Sequence, residues 1–159
     1  MANWCRHWVE FSGEKDAVEK ILNVFREMEK EQMGLANFGL KPDFLNGIEQ
    51  DFFYDIQVDD ENKVVVYDTK WAPNMLDLEA IAVHCGVNFI ADYEELGSSV
   101  FGKSILTDAG IVEYDLEGED FEKYTEDEEY GFYVLDGEDY ECETDVLEKL
   151  FENRFGFSY

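Results

Sequence analysis

The sequence predicts an α+β fold of the ferredoxin-like, split βαβ kind, with a four-stranded antiparallel sheet carrying two helices on one face. Three observations predict it. Apolar residues are concentrated in four short segments, 2–11, 51–58, 63–71 and 88–96, and alternate clearly in the first, the period of a half-buried strand. They recur at helical spacing in two other segments, one between the first and second strands and one between the third and fourth. The resulting order is β-α-β-β-α-β, which leaves the second sheet face open.

Taken in order, residues 2–11 place Cys5, His7, Val9 and Phe11 on one face and Trp4, Arg6, Trp8 and Glu10 on the other. Ser12 and Gly13 break the strand, and Ser12 is expected to cap the next helix. From 14 to about 32, Val18, Ile21, Leu22, Phe25 and Met28 form one apolar stripe. Residues 33–50, with Gly34, Gly39, Pro42 and Gly47, read as a long loop. "DFFYDIQV" and "KVVVYDTKW" flank "DDEN", a polar tetrad suited to a hairpin turn. Asn74 is expected to cap the second helix, with Asp77 completing a short-armed capping box. Met75, Leu78, Ile81, Ala82 and Cys85 line that helix's inner stripe, and Gly86 suits the left-handed position past its end.

After the fourth strand, "NFIADYEEL", a hairpin is expected across Ala109–Gly110 and a further strand at "YGFYVLD". Thr144 is expected to cap a last helix bearing Leu147, Leu150, Phe151 and Arg154, closed by Gly156. The expected organisation is a ferredoxin-like core over 1–97. An acidic β-rich extension with a C-terminal helix, 98–159, packs on it as one domain.

Several of these segments resemble a known family. "MANWC" at the start, "VEFSG" closing the first strand, "TKWAPN" before the second helix and "NFIADYEELGSSVFG" resemble YubB-type ferredoxin-like proteins of phages, plasmids and mobile elements. The resemblance covers about residues 1–105, and His7 stands where that family usually has Asn. It implies a fold and a mobile-element setting. It implies no activity and no catalytic residues, and the acidic last third has no counterpart in it.

The charge balance narrows the partners. Asp and Glu number 39 against 12 Lys and Arg, a net charge of −27. Phosphate binding needs clustered cations, and an anionic membrane surface needs the same, so neither direct nucleic-acid binding nor membrane binding is expected. The natural partners of such a field are basic protein surfaces or divalent cations. Three widely spaced cysteines, Cys5, Cys85 and Cys142, suggest free thiols and a cytoplasmic setting. No apolar run of spanning length and no secretory pattern are legible.

No constellation points to catalysis, so an enzyme is not expected, and no cofactor is implied. Cys5 and His7 share a strand face, but zinc needs two more ligands, and His84 and Cys85 point in different directions on their helix. "DGEDYECETD" lacks the ligand spacing of a calcium loop. Asp92 and Glu94 share a face, yet chance carboxylate pairs are unavoidable at this composition. Trp4 and Trp8 are candidate open-face contacts, expected to lie beneath the extra hairpin or a partner. Trp71 is expected to plug a strand-to-helix corner, and Arg6 and Lys70 to pair with acids. A small-ligand or cation pocket near Trp71 and Tyr93 is the alternative functional reading.

The acidic third carries the main one. Residues 113–145 hold 16 acids and one Lys. B-DNA presents roughly one charge per 110 Å² of cylinder, from one per ~1.7 Å of axis. An even spread of −27 falls short nearly threefold, whereas the acids of 113–145 on one face of about 2,000 Å² approach it. The expected site is the patch Glu126, Asp127, Glu128, Glu129, Asp136, Glu138, Asp139 and Glu141. It would act as a non-enzymatic module or DNA-mimic decoy for a basic surface on a nucleic-acid-handling or defence protein.

Overall fold

A seven-stranded antiparallel sheet organises the chain, described here by a computed structural model covering residues 3–32, 38–39, 42–45 and 52–159. The expected positions Ala2, Gly34 and Gly47 lie outside the described residues. Strand β1 (Trp4–Ser12) is followed by helix α1 (Lys15–Lys30), a two-residue strand β2 (Phe38–Gly39), β3 (Phe53–Asp59), β4 (Val64–Lys70), α2 (Met75–Cys85) and β5 (Asn88–Glu95). The sheet order β2-β3-β4-β1-β5-β6-β7 contains the run β3-β4-β1-β5. Those four strands and two helices make the split βαβ arrangement of a ferredoxin-like fold.

Strands β6 (Val100–Thr107) and β7 (Gly110–Asp115) then continue the sheet beyond β5 as a hairpin. They lengthen it sideways and do not fold over it. Three short strands follow, β8 (Thr125–Asp127), β9 (Phe132–Leu135) and β10 (Glu138–Tyr140), forming a separate sheet in the order β10-β9-β8. Helix α3 (Glu143–Phe155) ends at Gly156, φ +78°.

Two cores result, one on each side of the large sheet. The first buries Cys5, Val9 and Phe11 of β1 against Val18, Ile21, Leu22 and Phe25 of α1 and Leu78 and Ile81 of α2. Alternation in β1 and the stripes on both helices account for it, and fully burying each such side chain stabilises by about 1.5–3 kcal/mol. The second core joins Phe101 of β6 and Leu116 to Val146, Leu147, Leu150 and Phe151 of α3 and Leu135 of β9. Tyr159 stacks on Phe101 with ring centroids 4.1 Å apart and donates to the Tyr93 carbonyl at 3.1 Å. The acidic extension is therefore tied to the opposite sheet face by aromatic packing.

Local details differ from expectation where a side chain finds a better partner than its own helix end. Glu14, not Ser12, precedes α1. Asn74 precedes α2 but caps nothing with its side chain, whose Oδ1 accepts from the Tyr67 hydroxyl at 2.9 Å. Cys142 precedes α3, and Thr144 bonds Glu94. Trp71 does not plug the corner after β4, since it is 52% exposed. The corner is held by Thr69 Oγ1, which donates to the Ala72 carbonyl at 2.7 Å. Arg6 pairs with Asp68 at 2.8 Å, whereas Lys70 lies over the rings of Tyr54 and Trp4.

Candidate functional site

The expected acidic patch lies on the small sheet and its turns. Asp136 and Gly137, at φ +52° and +83°, link the paired residues Leu135 and Glu138. Two consecutive left-handed residues make the turn whose twist matches an antiparallel hairpin. The other turn, from the Asp127–Phe132 pair, is held by the Asp127 carboxylate. It accepts from the Glu129 and Tyr130 amides at 3.0 and 3.2 Å, an Asx-type turn. Gly131 closes the turn by donating to the Asp127 carbonyl at 2.7 Å.

Glu126, Glu128, Glu129, Asp136, Glu138, Asp139 and Glu141 are exposed, and Asp127 is half-buried. Among the described residues none of the eight pairs with a cation. The cations of the extension are engaged elsewhere. Lys123 pairs with Asp120 at 2.6 Å, Arg154 with Asp120 at 2.5 Å and Glu117 at 2.8 Å, and Lys149 with Glu152 at 3.5 Å. Asp120 is 1% exposed. Burial pushes its carboxyl up, but Lys123, the Glu117 amide and Arg154 outweigh that and hold it below the ordinary value. Sequence reasoning missed this clamp. Its signal was the lone Lys three residues after an Asp inside an acidic run.

On the α3-facing side of the small sheet Tyr133 pairs with Tyr140 and Glu126. The Tyr124 hydroxyl bonds the Glu143 carboxylate, joining the approach to β8 to the start of α3. These contacts hold the small sheet against α3, and its register divides the acids: Glu126 and Glu138 share the face of Tyr133 and Leu135, whereas Asp127 and Asp139 lie on the other face. Averaged over the whole chain, −27 on 9189 Å² is about one net charge per 340 Å².

The remaining candidates are placed apart. Trp4 and Trp8 stay 44% and 37% exposed on the face opposite α1 and α2, so the hairpin does not cover them. Trp71 and Tyr93 do not form a pocket together. Tyr93 is buried opposite His7, whereas Trp71 stands past the end of β4 and is exposed. A cavity of about 560 Å³ does exist between α2 and the β6–β7 turn, and its lining includes Glu79, Val83 and Leu106 but neither Trp71 nor Tyr93.

Cys5 and His7 are both fully buried, with Sγ and Nε2 3.9 Å apart. Burial pushes the Cys5 thiol up to about 12, which disfavours the thiolate that zinc needs. His84 is exposed and stacked on Phe44, and Cys85 belongs to the core. Among the described residues no three His, Cys, Asp or Glu side chains converge to hold a metal, and no helix is long and apolar enough to cross a membrane. Asp92 pairs with Lys103 at 2.5 Å, and Glu94 bonds Thr144, so this carboxylate pair fastens α3 and β6.

Residues 53–136, from β3 through β9, match the family model described as a ferredoxin-like domain in Api92-like protein, just over half of the chain. No curated protein and no solved structure matches it.

Proposed function

The chain belongs to the family of ferredoxin-like domains in Api92-like proteins, and from that premise we propose that it is a non-enzymatic interaction module whose acidic flank occupies a basic protein surface. One observation carries the reading: seven exposed carboxylates and a turn-forming Asp127 stand on a braced three-stranded sheet without a cation partner among the described residues. A rigid array of like charge meets a complementary surface without first losing conformational entropy, and it raises the association rate. The likeness of "MANWC", "TKWAPN" and "NFIADYEELGSSVFG" to YubB-type proteins of phages and plasmids supports a mobile-element setting, and the three free cysteines support a cytoplasmic site of action. In that setting the target is a nucleic-acid-handling or defence protein, whose basic DNA-binding surface the patch would occupy in place of DNA.

The test is capture from a bacterial lysate, repeated with the five-fold reversal of Glu126, Glu128, Glu129, Glu138 and Asp139 to Lys. Asp127 is left intact because its carboxylate holds a turn. The expected result is a captured protein that is released at high salt, is displaced by duplex DNA and is absent with the variant. Equal capture by the variant would remove the patch from the mechanism.

A further inference from the structure

The large sheet presents a second surface, independent of the acidic patch. Strand register places Asp59, Val64, Glu10, Ile90, Ile105 and Val112 side by side in one row across β3, β4, β1, β5, β6 and β7. The row lies on the face opposite α1 and α2. In the neighbouring row Val66 and Trp8 are paired, next to Asp92, Lys103 and Tyr114. Helix α3 and the C-terminal residues cover Phe101, Lys103 and Tyr114, and their cover stops short of the outer row. Ile90 is 43% and Val112 50% exposed, and Val64, Val66 and Ile105 are half-buried. Apolar side chains thus line the row on β4, β5, β6 and β7, with Glu10 between them on β1 and Trp8 beside it in the next row, on a molecule whose net charge is −27.

The charges within the row are acidic. Glu10 and Asp59 lie in the row itself, and Glu148 of α3 stands near Asp92 at its side. The cations of this sheet face are engaged: Arg6 with Asp68, Lys103 with Asp92, and Lys70 over Tyr54. A second copy would bring another −27 against the first. From Val64 to Val112 the strip spans four strand spacings, about 19 Å, the length of roughly 13 helical residues. Row neighbours about 4.8 Å apart are close to the 5.4 Å pitch of a helix, so successive helical turns would meet successive strands, with a basic residue suited to the Glu10 position.

We propose that the strip formed by Trp8, Val64, Ile90, Ile105 and Val112 is a docking groove for a cationic amphipathic helix of a partner protein. Leu-type residues of that helix would lie on the strip, and Lys or Arg residues would face Glu10, Asp59 and Glu148. This is recognition of a helix by an apolar surface, on the same sheet face as the acidic extension but with none of the eight patch residues in the strip.

The test uses the full chain and two labelled synthetic peptides of about 18 residues, one helical with a Leu face and a Lys face, the other of equal charge with Ser for Leu. Fluorescence anisotropy is expected to show binding of the first at least tenfold tighter than the second. The double variant Ile90→Ser/Val112→Ser should weaken the first about tenfold, and Glu10→Lys should also weaken it. Both apolar positions are exposed, so circular dichroism should match the parent. The Lys reversals in the small sheet should cost less than the strip variant, which separates this groove from the patch. Equal binding of both peptides, no binding of the Leu-faced one, or indifference to the strip variant would overturn the proposal. So would a concentration-dependent dimer of the parent that Ile90→Ser/Val112→Ser abolishes, since the strip's occupant would then be a second copy.

Discussion

Tyr93 of β5 reaches across β6 and donates its hydroxyl to the Asp115 carboxylate of β7 at 2.7 Å. The residue it crosses is Gly102, paired with Tyr93 on one side and Asp115 on the other. A Cβ at Gly102 would stand 2.7 Å from Tyr93 Cε2 and 2.9 Å from the Tyr114 carbonyl, and would also meet Asp115 Oδ1. The bare backbone is thus what lets an aromatic ring tie the added hairpin to the ferredoxin-like strands. Gly102→Ala should cost about 1–3 kcal/mol, the range for overpacking a tight site. Tyr93→Phe, which keeps the ring, should cost about 1 kcal/mol. Urea unfolding measures both, and a Gly102→Ala as stable as the parent would mean that the strands shift without cost.

A second tie holds the acidic extension. Asp120 gathers Lys123 and Arg154 while its Oδ2 accepts from the Glu117 amide at 2.9 Å. Asp120→Asn keeps the shape and removes the charge, and it should cost about 1.5–3 kcal/mol, as for hydrogen bonds to charged groups. Amide hydrogen exchange should localise the loss to β8–β10 and α3. Because the folded carboxyl is held below its ordinary 3.8, its contribution is present above that pH. It is lost as pH falls through the lower folded value. Uniform exchange across the chain would show that the clamp is not local.

The sequence made the ferredoxin-like part legible because its signals are long. Sixteen residues of α1 carry one stripe, and paired strands flank the polar tetrad 59–62; the later hairpin turns at Asp108–Ala109, one residue before the expected Ala109–Gly110, with Gly110 opening β7. Strands β8 and β10 were not legible. Each has three residues, too few for a period, and Asp and Glu disfavour strands. They form because Tyr133, Leu135 and Tyr140 pack toward α3. The capping residues failed for a related reason: Asn74 and Thr144 were spent on Tyr67 and Glu94, contacts distant in sequence. The exposure of most of the acidic residues followed from composition, whereas the Asp120 clamp and the apolar row depend on contacts distant in sequence.

His7 makes stability sensitive to acid. It is fully buried and stacked on Tyr67, with centroids 4.4 Å apart. Burial pushes it from 6.5 down to about 3, against the opposing pull of backbone bonds at Tyr67 and Cys5. The unfolded chain takes up a proton below 6.5 that the folded chain refuses until about 3. The neutral ring's contribution is therefore full above 6.5 and is lost as pH falls, by up to about 1.4 kcal/mol per pH unit. His7→Asn should be less stable near neutrality through the lost stacking, yet show a smaller decline between those two values. Parallel stability–pH curves for parent and variant would exclude His7 as the source.

Glu148 works in the opposite sense. Burial first, then Asp145, Glu152 and Asp92, raise its carboxyl above the ordinary 4.5. The folded chain then holds this proton more tightly than the unfolded one, so stability rises as pH falls through the folded value and is lost as pH climbs back. Asp145 and Glu152 stand three residues before and four after Glu148 on α3, positions where like charges repel by a few tenths of a kcal/mol. Glu148→Gln should therefore stabilise the chain by about 0.3–0.5 kcal/mol at pH 7 and low salt. The gain should shrink in high salt and below the ordinary carboxyl value. A helix that keeps such a group at a cost to its own stability fits a surface shaped to receive cations, and Glu148 borders the apolar row. Denaturant melts of the two proteins at low and high salt decide it: a Glu148→Gln that is less stable under both conditions would mean that the carboxylate makes a favourable bond of its own.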